Sequence, residues 1–196
     1  MAIPKISFSA TINGQKIGPV DLPEDLMAVE LLQEYLNLTG TRLTCGQGVC
    51  RACTIIVDGE DGSSTVPACI TGIAWLNGRT IRTIEGIAGQ DTDGQPVPSA
   101  VQKAFLEHFA FQCSYCTPGF VNAATVLVEA LEKTPIPVAE VEGRILSALD
   151  ANLCRCTGYV RYYQAVREVV LNTPGLTIDG PQTGNPAQTA NATVKA

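Results

Sequence analysis

The sequence is sparing with charge and with histidine. Only 16% of its 196 residues are Asp, Glu, Lys or Arg, and His108 is the one histidine. Its 19 acidic and 13 basic side chains leave a net charge of −6, and no run of five basic residues occurs. Phosphate backbones are bound by concentrated Lys/Arg surfaces, so no nucleic-acid partner is expected. No stretch approaches 18 consecutive apolar residues, so no transmembrane segment of the chain's own is expected. The first ten residues lack the basic-then-apolar order of a secretory leader. The expected compartment is therefore the cytoplasm, the alternative being the periplasmic face of the membrane after export on a partner's leader. The sequons at Asn37 and Asn191 are then chance. No GxGxxG, P-loop or Ser/His/Asp grouping is present, so substrate chemistry is not expected within this chain. His108 is expected to be structural, and Trp75 and Tyr115 to pack rather than conduct electrons.

Cysteine, by contrast, is abundant. All eight residues fall into two sets of four, with none left over. In a reducing compartment such sets are more often metal ligands than disulfides.

The hydrophobic pattern divides the chain. Residues 3–12 alternate in part, Asn13-Gly14 follows, and Gln15 to Val20 comes next, which predicts a β-hairpin. Leu26, Val29, Leu32 and Leu36 lie at helical spacing, predicting a helix over 23–38 that stops at Gly40. Short strands are expected at 54–57 and 79–84. From Pro98 onward the period is helical. Val101, Phe105 and Phe109 mark one face, and Val121, Thr125, Val128 and Leu131 follow Pro118. Val141, Ile145 and Leu149 form a third helix, and Tyr162, Val166 and Val169 a fourth. The stretch 86–97 has linker composition. Residues 173–196 lack aromatics and read either as a disordered tail or as a partner-binding arm.

In the first set, Cys45-x4-Cys50-x2-Cys53 with Cys69 further on is the plant-type ferredoxin spacing for a [2Fe–2S] cluster. Three thiolates come from one tight loop and the fourth closes the site from a distant segment. Gly46 and Gly48 supply positive-φ positions, so that N–H groups point inward and stabilise charge on sulfur. Zinc, which prefers paired C-x2-C units, and purely structural cysteines fit less well. In the second set, Cys113-x2-Cys116 precedes Pro118 and Cys154-x-Cys156 precedes Gly158. Both pairs therefore lie at expected helix N-termini, which favour thiolate or cluster charge. Spacing alone leaves a second [2Fe–2S] or a zinc ion open there.

Three motifs carry a resemblance. They are Cys45-Gly-Gln-Gly-Val-Cys-Arg-Ala-Cys-Thr54 with Cys69, Gln112-Cys-Ser-Tyr-Cys-Thr-Pro-Gly-Phe120, and Asn152-Leu-Cys-Arg-Cys-Thr-Gly-Tyr159. Together the chain resembles the small iron–sulfur subunit of the xanthine oxidase family of molybdenum hydroxylases, which includes aldehyde oxidoreductases and carbon monoxide dehydrogenase. The resemblance implies an α+β fold. A β-grasp plant-type ferredoxin domain (1–85) is joined by a linker (86–97) to a four-helix-bundle domain (98–172), with the 173–196 tail beyond. It implies two [2Fe–2S] clusters, held by Cys45, Cys50, Cys53 and Cys69 and by Cys113, Cys116, Cys154 and Cys156. It further implies a large partner subunit holding a molybdenum–pterin cofactor, approached by Gln112 and Cys156. Electrons would pass from molybdenum through the second cluster, then the first, to a flavin-binding or cytochrome c subunit. A free-standing ferredoxin and a zinc-stabilised interaction module are the competing readings. The segment 58–64 is expected to be an addition to a minimal small subunit.

One position departs from the family, which usually has Gly where Arg51 stands. A positive φ there would strain the arginine. Its charge would favour the reduced, more negative cluster. At roughly 8 Å and an effective dielectric of about 20, Coulomb's law gives about 2 kcal/mol, or about 90 mV for one electron. Solvent exposure cuts this to roughly a quarter. Arg51→Gly is therefore expected to lower the potential of the first cluster, and a redox titration showing an unchanged or higher value would sink the assignment.

Overall fold

The computed structural model describes residues 3–179. Asn191 and the rest of the expected tail from 180 onward lie outside the described residues.

Strands β1 (Lys5–Ile12) and β2 (Gln15–Pro23) pair antiparallel around Asn13 and Gly14, both at positive φ. That turn matches the twist of a hairpin. Alternation along β1 sends Phe8, Ala10 and Ile12 into the core. Strand β3 (Thr54–Asp58) pairs with β4 (Ser63–Pro67) and with β5 (Thr80–Arg82), which runs parallel to β1. The sheet order is β2-β1-β5-β3-β4. Strand β4 was not expected; it grows from the 58–64 segment read as an addition.

The helix expected over 23–38 is shorter. Helix α1 covers Ala28–Glu30 and widens into a π-turn over Leu31–Tyr35. Pro23 still belongs to β2, and Met27 is held extended by a bridge to Gly72, so the helix cannot start earlier. Asn37, at φ 54°, ends it before Gly40. Helix α2 (Ile73–Leu76) and a small hairpin of β6 (Gly89–Gln90) and β7 (Pro96–Val97) were also not expected; the hairpin lies within the stretch of linker composition.

The helical half contains α3 (Ala100–Glu107), α4 (Thr117–Lys133), α5 (Val141–Leu149) and α6 (Val160–Asn172) around one core that includes Phe105, Phe120, Ile145, Tyr162 and Val166. Ser99 and Gln102 form a capping box on α3. Phe109 does not continue the α3 face. It sits in the left-handed region at φ 48° and is 65% exposed. Ala110 N–H donates to Phe105 O at 2.9 Å and Phe109 N–H to Leu106 O at 3.1 Å, a Schellman ending that stops the helix one turn early. The expected tail also begins in the core: Leu176 is buried, and Ile136 N–H donates to its carbonyl at 3.3 Å. His108 is structural in position, pairing with Glu168 of α6 at 2.6 Å.

Helix α4 crosses β3 and β4 and joins the two halves. Arg82 of β5 ties them laterally, reaching Asp58 at 2.7 Å and Glu129 of α4 at 2.6 Å. Burial alone would raise the Glu129 carboxyl, but the Arg82 hydrogen bonds and charge outweigh it and hold the group below its ordinary value. A depressed carboxyl stabilises the fold above its unfolded value of about 4.3, and this stability is lost as pH falls through the lower folded value. Arg82→Ala is expected to cost about 1–2 kcal/mol near neutral pH. Glu129→Gln is expected to flatten the decline in urea midpoint below about pH 4.5, and a decline as steep as the parent's would contradict the assignment.

Candidate functional site

The first four cysteines meet where the 41–53 loop passes the end of β4. Gln47 and Cys50 donate N–H groups to Cys45 Sγ at 3.4 and 3.5 Å, and Gly48 N–H donates to Cys69 Sγ at 3.3 Å. The inward N–H groups expected from the spacing are present and point at cysteine sulfurs. The Cys50 and Gln47 donors bring the Cys45 thiol down to about 6. Gly46 and Gly48 have φ of 67° and 73°. A Cβ on Gly48 would also lie 2.4 Å from the Ile70 side chain. Ala68 N–H donates to Cys53 O at 3.1 Å, so the pairing of β3 with β4 delivers Cys69 to Cys53. Both thiols are buried, and burial pushes Cys53 up to about 12. A metal reverses that preference, because a coordinating thiol is deprotonated outright.

The second four meet at the start of α4 and in the loop before α6. Cys113 Sγ lies 3.6 Å from Cys156 Sγ. A disulfide needs about 2.05 Å, whereas two thiolates on one tetrahedral metal, each at about 2.3 Å, lie about 3.8 Å apart. Cys116, which caps α4, faces Cys154. Burial pushes Cys116 up to about 11. At Cys154 burial acts in the same sense, but hydrogen bonds led by Thr157 Oγ1, at 3.1 Å, bring it to about 7. Cys154 N–H donates to Tyr159 Oη at 3.0 Å, and Tyr162 Oη lies 3.3 Å from Cys116 Sγ.

All eight cysteines are free. No group of three or more His, Cys, Asp or Glu among the described residues is placed to hold a single metal ion. Within each set the strongest thiol neighbours are Cys45 with Cys50, Cys53 with Cys69, Cys113 with Cys156, and Cys116 with Cys154, while Cys53 also feels Cys50 and Cys116 also feels Cys113. Two irons bridged by sulfide take thiolates in that pairwise fashion, so the donor sets fit a [2Fe–2S] group at each site. In each set one pair lies inward and the other nearer the surface. Gln112 is exposed and lies in a loop beyond α3, next to exposed Cys113.

The two sets are joined by backbone. Leu153 N–H, adjacent to Cys154, donates to Cys50 O at 3.0 Å. Asn152 Nδ2 donates to Arg51 O at 3.1 Å and Asn122 Nδ2 to Thr54 O at 2.8 Å. Arg51 has φ 58°, the strained conformation its departure from glycine foretells, at about 1–2 kcal/mol. Tyr115 does not pack inside the core; it is half exposed, its ring lies under Arg42 and its hydroxyl donates to Leu43 O at 2.8 Å. Trp75 is likewise half exposed, under Arg79 at 4.1 Å. Sequence reasoning missed Thr157, Asn122 and Asn152 as site residues and treated Tyr162 only as a core position. Thr157 and Asn152 stand inside the quoted motifs, but no spacing rule marks side chains that serve a neighbouring loop.

Residues 83–167 match the family described as "[2Fe-2S] binding domain". The nicotine 6-hydroxylase small subunit of Paenarthrobacter nicotinovorans is 40% identical over 172 residues, covering 87% of this chain and 91% of its own. The nicotinate dehydrogenase small FeS subunit of Eubacterium barkeri is 39% identical, covering 85% and 96%. Among solved structures, quinoline 2-oxidoreductase from Pseudomonas putida 86 aligns with a TM-score of 0.69 at 32% identity, covering 84% of this chain and 91% of that one.

The close approach at the junction depends on Gly119 of α4. A Cβ there would stand 2.4 Å from Arg51 O and 3.2 Å from Ala52 O. Both neighbours are backbone and cannot swing aside. Gly119→Ala is expected to destabilise the protein by about 1–3 kcal/mol and to loosen the first loop. Chemical denaturation with iron analysis would measure both, and an unchanged midpoint with full iron content would contradict the role given to Gly119.

Proposed function

Because this chain belongs to the small iron–sulfur subunits of the xanthine oxidase family of molybdenum hydroxylases, we propose that its eight cysteines hold two [2Fe–2S] clusters. The chain is an electron-transfer subunit of an oxidoreductase complex, as its relatives named small subunits are, and its place is beside a large molybdenum-binding subunit. In the finer reading, residues 1–85 form a β-grasp ferredoxin-type domain and 98–172 a four-helix domain, joined by 86–97. The observation that carries it is the pairing of thiols two by two in both sets, with one backbone hydrogen bond joining the sets.

When bound, each cluster accepts and releases one electron at a time. The chain's own residues prepare the sites. The N–H groups of Gln47, Gly48 and Cys50 stabilise negative charge on Cys45 and Cys69. Burial of Cys53, Cys69 and Cys154 keeps water from the inward thiolates. The Cys50 carbonyl and Leu153 N–H give a bonded route from a ligand of one set to the neighbour of a ligand of the other. Cys113, Cys156 and Gln112 form the entry face, where Gln112 and Cys156 approach the partner's molybdenum–pterin cofactor. The Cys45–Cys50 loop is the exit face, toward a flavin-binding or cytochrome c subunit. The cytoplasm suits a chain whose eight thiols are reserved for metal. Among the described residues no helix is long and apolar enough to cross a membrane.

Low-temperature EPR of the dithionite-reduced protein, with iron and zinc analysis of the same sample, tests the reading. Two distinct S = 1/2 signals with about four irons per chain are expected. One signal, two irons and one zinc would overturn the second site. Within the complex, Gln112→Ala is expected to slow electron entry and leave both signals intact; normal turnover would remove Gln112 from the entry face.

A further inference from the structure

Tyr162 is 1% exposed. Its ring stacks on Phe120, with centroids 4.2 Å apart and planes 8° from parallel, and Phe105 holds it from another side at 5.4 Å. This packing leaves the hydroxyl facing two polar atoms, Cys116 Sγ and Thr117 Oγ1, each 3.3 Å away. A buried hydroxyl must spend its proton on an acceptor. A metal-bound thiolate carries no proton and can only accept, so in a bond between Cys116 and Tyr162 the tyrosine is the donor, while Thr117 Oγ1 has a proton of its own to give to the tyrosine oxygen. Thr157 Oγ1 makes the same kind of contact with Cys154 Sγ at 3.1 Å. Two O–H dipoles thus converge on the inward pair of thiols, whereas exposed Cys113 and Cys156 meet each other.

We propose that Tyr162 sets the reduction potential of the second centre by donating its hydroxyl proton in a hydrogen bond to Cys116, with Thr157 acting alike on Cys154. The proposal rests on the two-cluster reading. One electron arrives from the reduced molybdenum centre of the partner, or from dithionite in the test. The added negative charge spreads over the thiolates, where the O–H dipoles stabilise it. The proton stays on the tyrosine oxygen, so no proton accompanies the electron. In this dry, low-dielectric setting the bond is stronger than it would be in water. Tyr162 is a positioning residue for charge and touches no substrate.

Tyr162→Phe keeps the ring stack and removes only the oxygen. In the full chain within its complex, redox titration followed by EPR is expected to show about a tenfold fall in the equilibrium constant for reducing the second centre, a midpoint about 59 mV lower. The midpoint of the first centre should not move. Pulsed ENDOR on the reduced second centre should lose one exchangeable proton coupling. Installing 3-fluorotyrosine at 162, whose hydroxyl is a stronger donor, should move the midpoint the other way, and it serves as the test if the Phe variant does not fold. Both signals present with the second midpoint unmoved would overturn the role of Tyr162. A missing second signal in the unsubstituted protein would instead overturn the two-cluster reading beneath it.

Discussion

One turn of backbone, at Cys50 and Arg51, carries the contact on which both centres depend. The Arg51 carbonyl accepts from Thr54 N–H at 3.1 Å, Thr54 Oγ1 at 2.7 Å and Asn152 Nδ2 at 3.1 Å. The carbonyl before it, of Cys50, accepts from Leu153. A buried peptide group must be satisfied, and here the partners come from opposite halves of the chain. The left-handed conformation of Arg51 turns the peptide toward them. Main chain meeting main chain leaves no slack of the kind a long side chain would give. This is why α4 presents Gly119 at the crossing and why Asn122, 1% exposed, is held in an otherwise apolar layer by Thr54 O.

Each centre is graded from inside to outside. Cys53 with Cys69, and Cys154 with half-buried Cys116, are sheltered, while Cys113 and Cys156 reach the surface. The shelter has different sources. In the first centre it is peptide N–H groups of a loop, which the glycines permit. In the second, backbone groups are joined by two hydroxyls, Thr157 in the loop before α6 and Tyr162 on α6, the latter fixed by aromatic stacking. Peptide dipoles are set by loop geometry, whereas hydroxyls can be altered one side chain at a time.

Much of this was legible in the sequence because it is local. The cysteine spacings, the Asn13-Gly14 hairpin, Pro118 at the head of α4 and the periodic faces of α5 and α6 are decided within a few residues of where they are read, whereas on α4 the buried positions include Phe120, Ala124 and Leu127 and leave Thr125 and Val128 half-buried. The failures share a different cause. β4 was hidden because Ser63–Pro67 has no strong apolar alternation; it exists because β3 offers it an edge. Phe109 fits a helical face by spacing, but the chain needed a left-handed residue to turn toward Cys113, and helix period says nothing of where a helix must stop. Thr157 and Tyr162 serve sulfur atoms that only the folded chain brings to them.

The last described residues have a practical meaning for anyone wishing to handle the molecule. Leu176 is locked into the helical core, and the Asp179 carboxylate accepts from Val138 N–H at 3.2 Å, just past the far end of α4. The 17 residues of α4 rise about 26 Å from Cys116 to that end. A dye, surface tether or fused protein attached immediately after Asp179 would start about one small-domain diameter from Cys116. It could immobilise the subunit on an electrode with exposed Cys113 and Cys156 left uncovered.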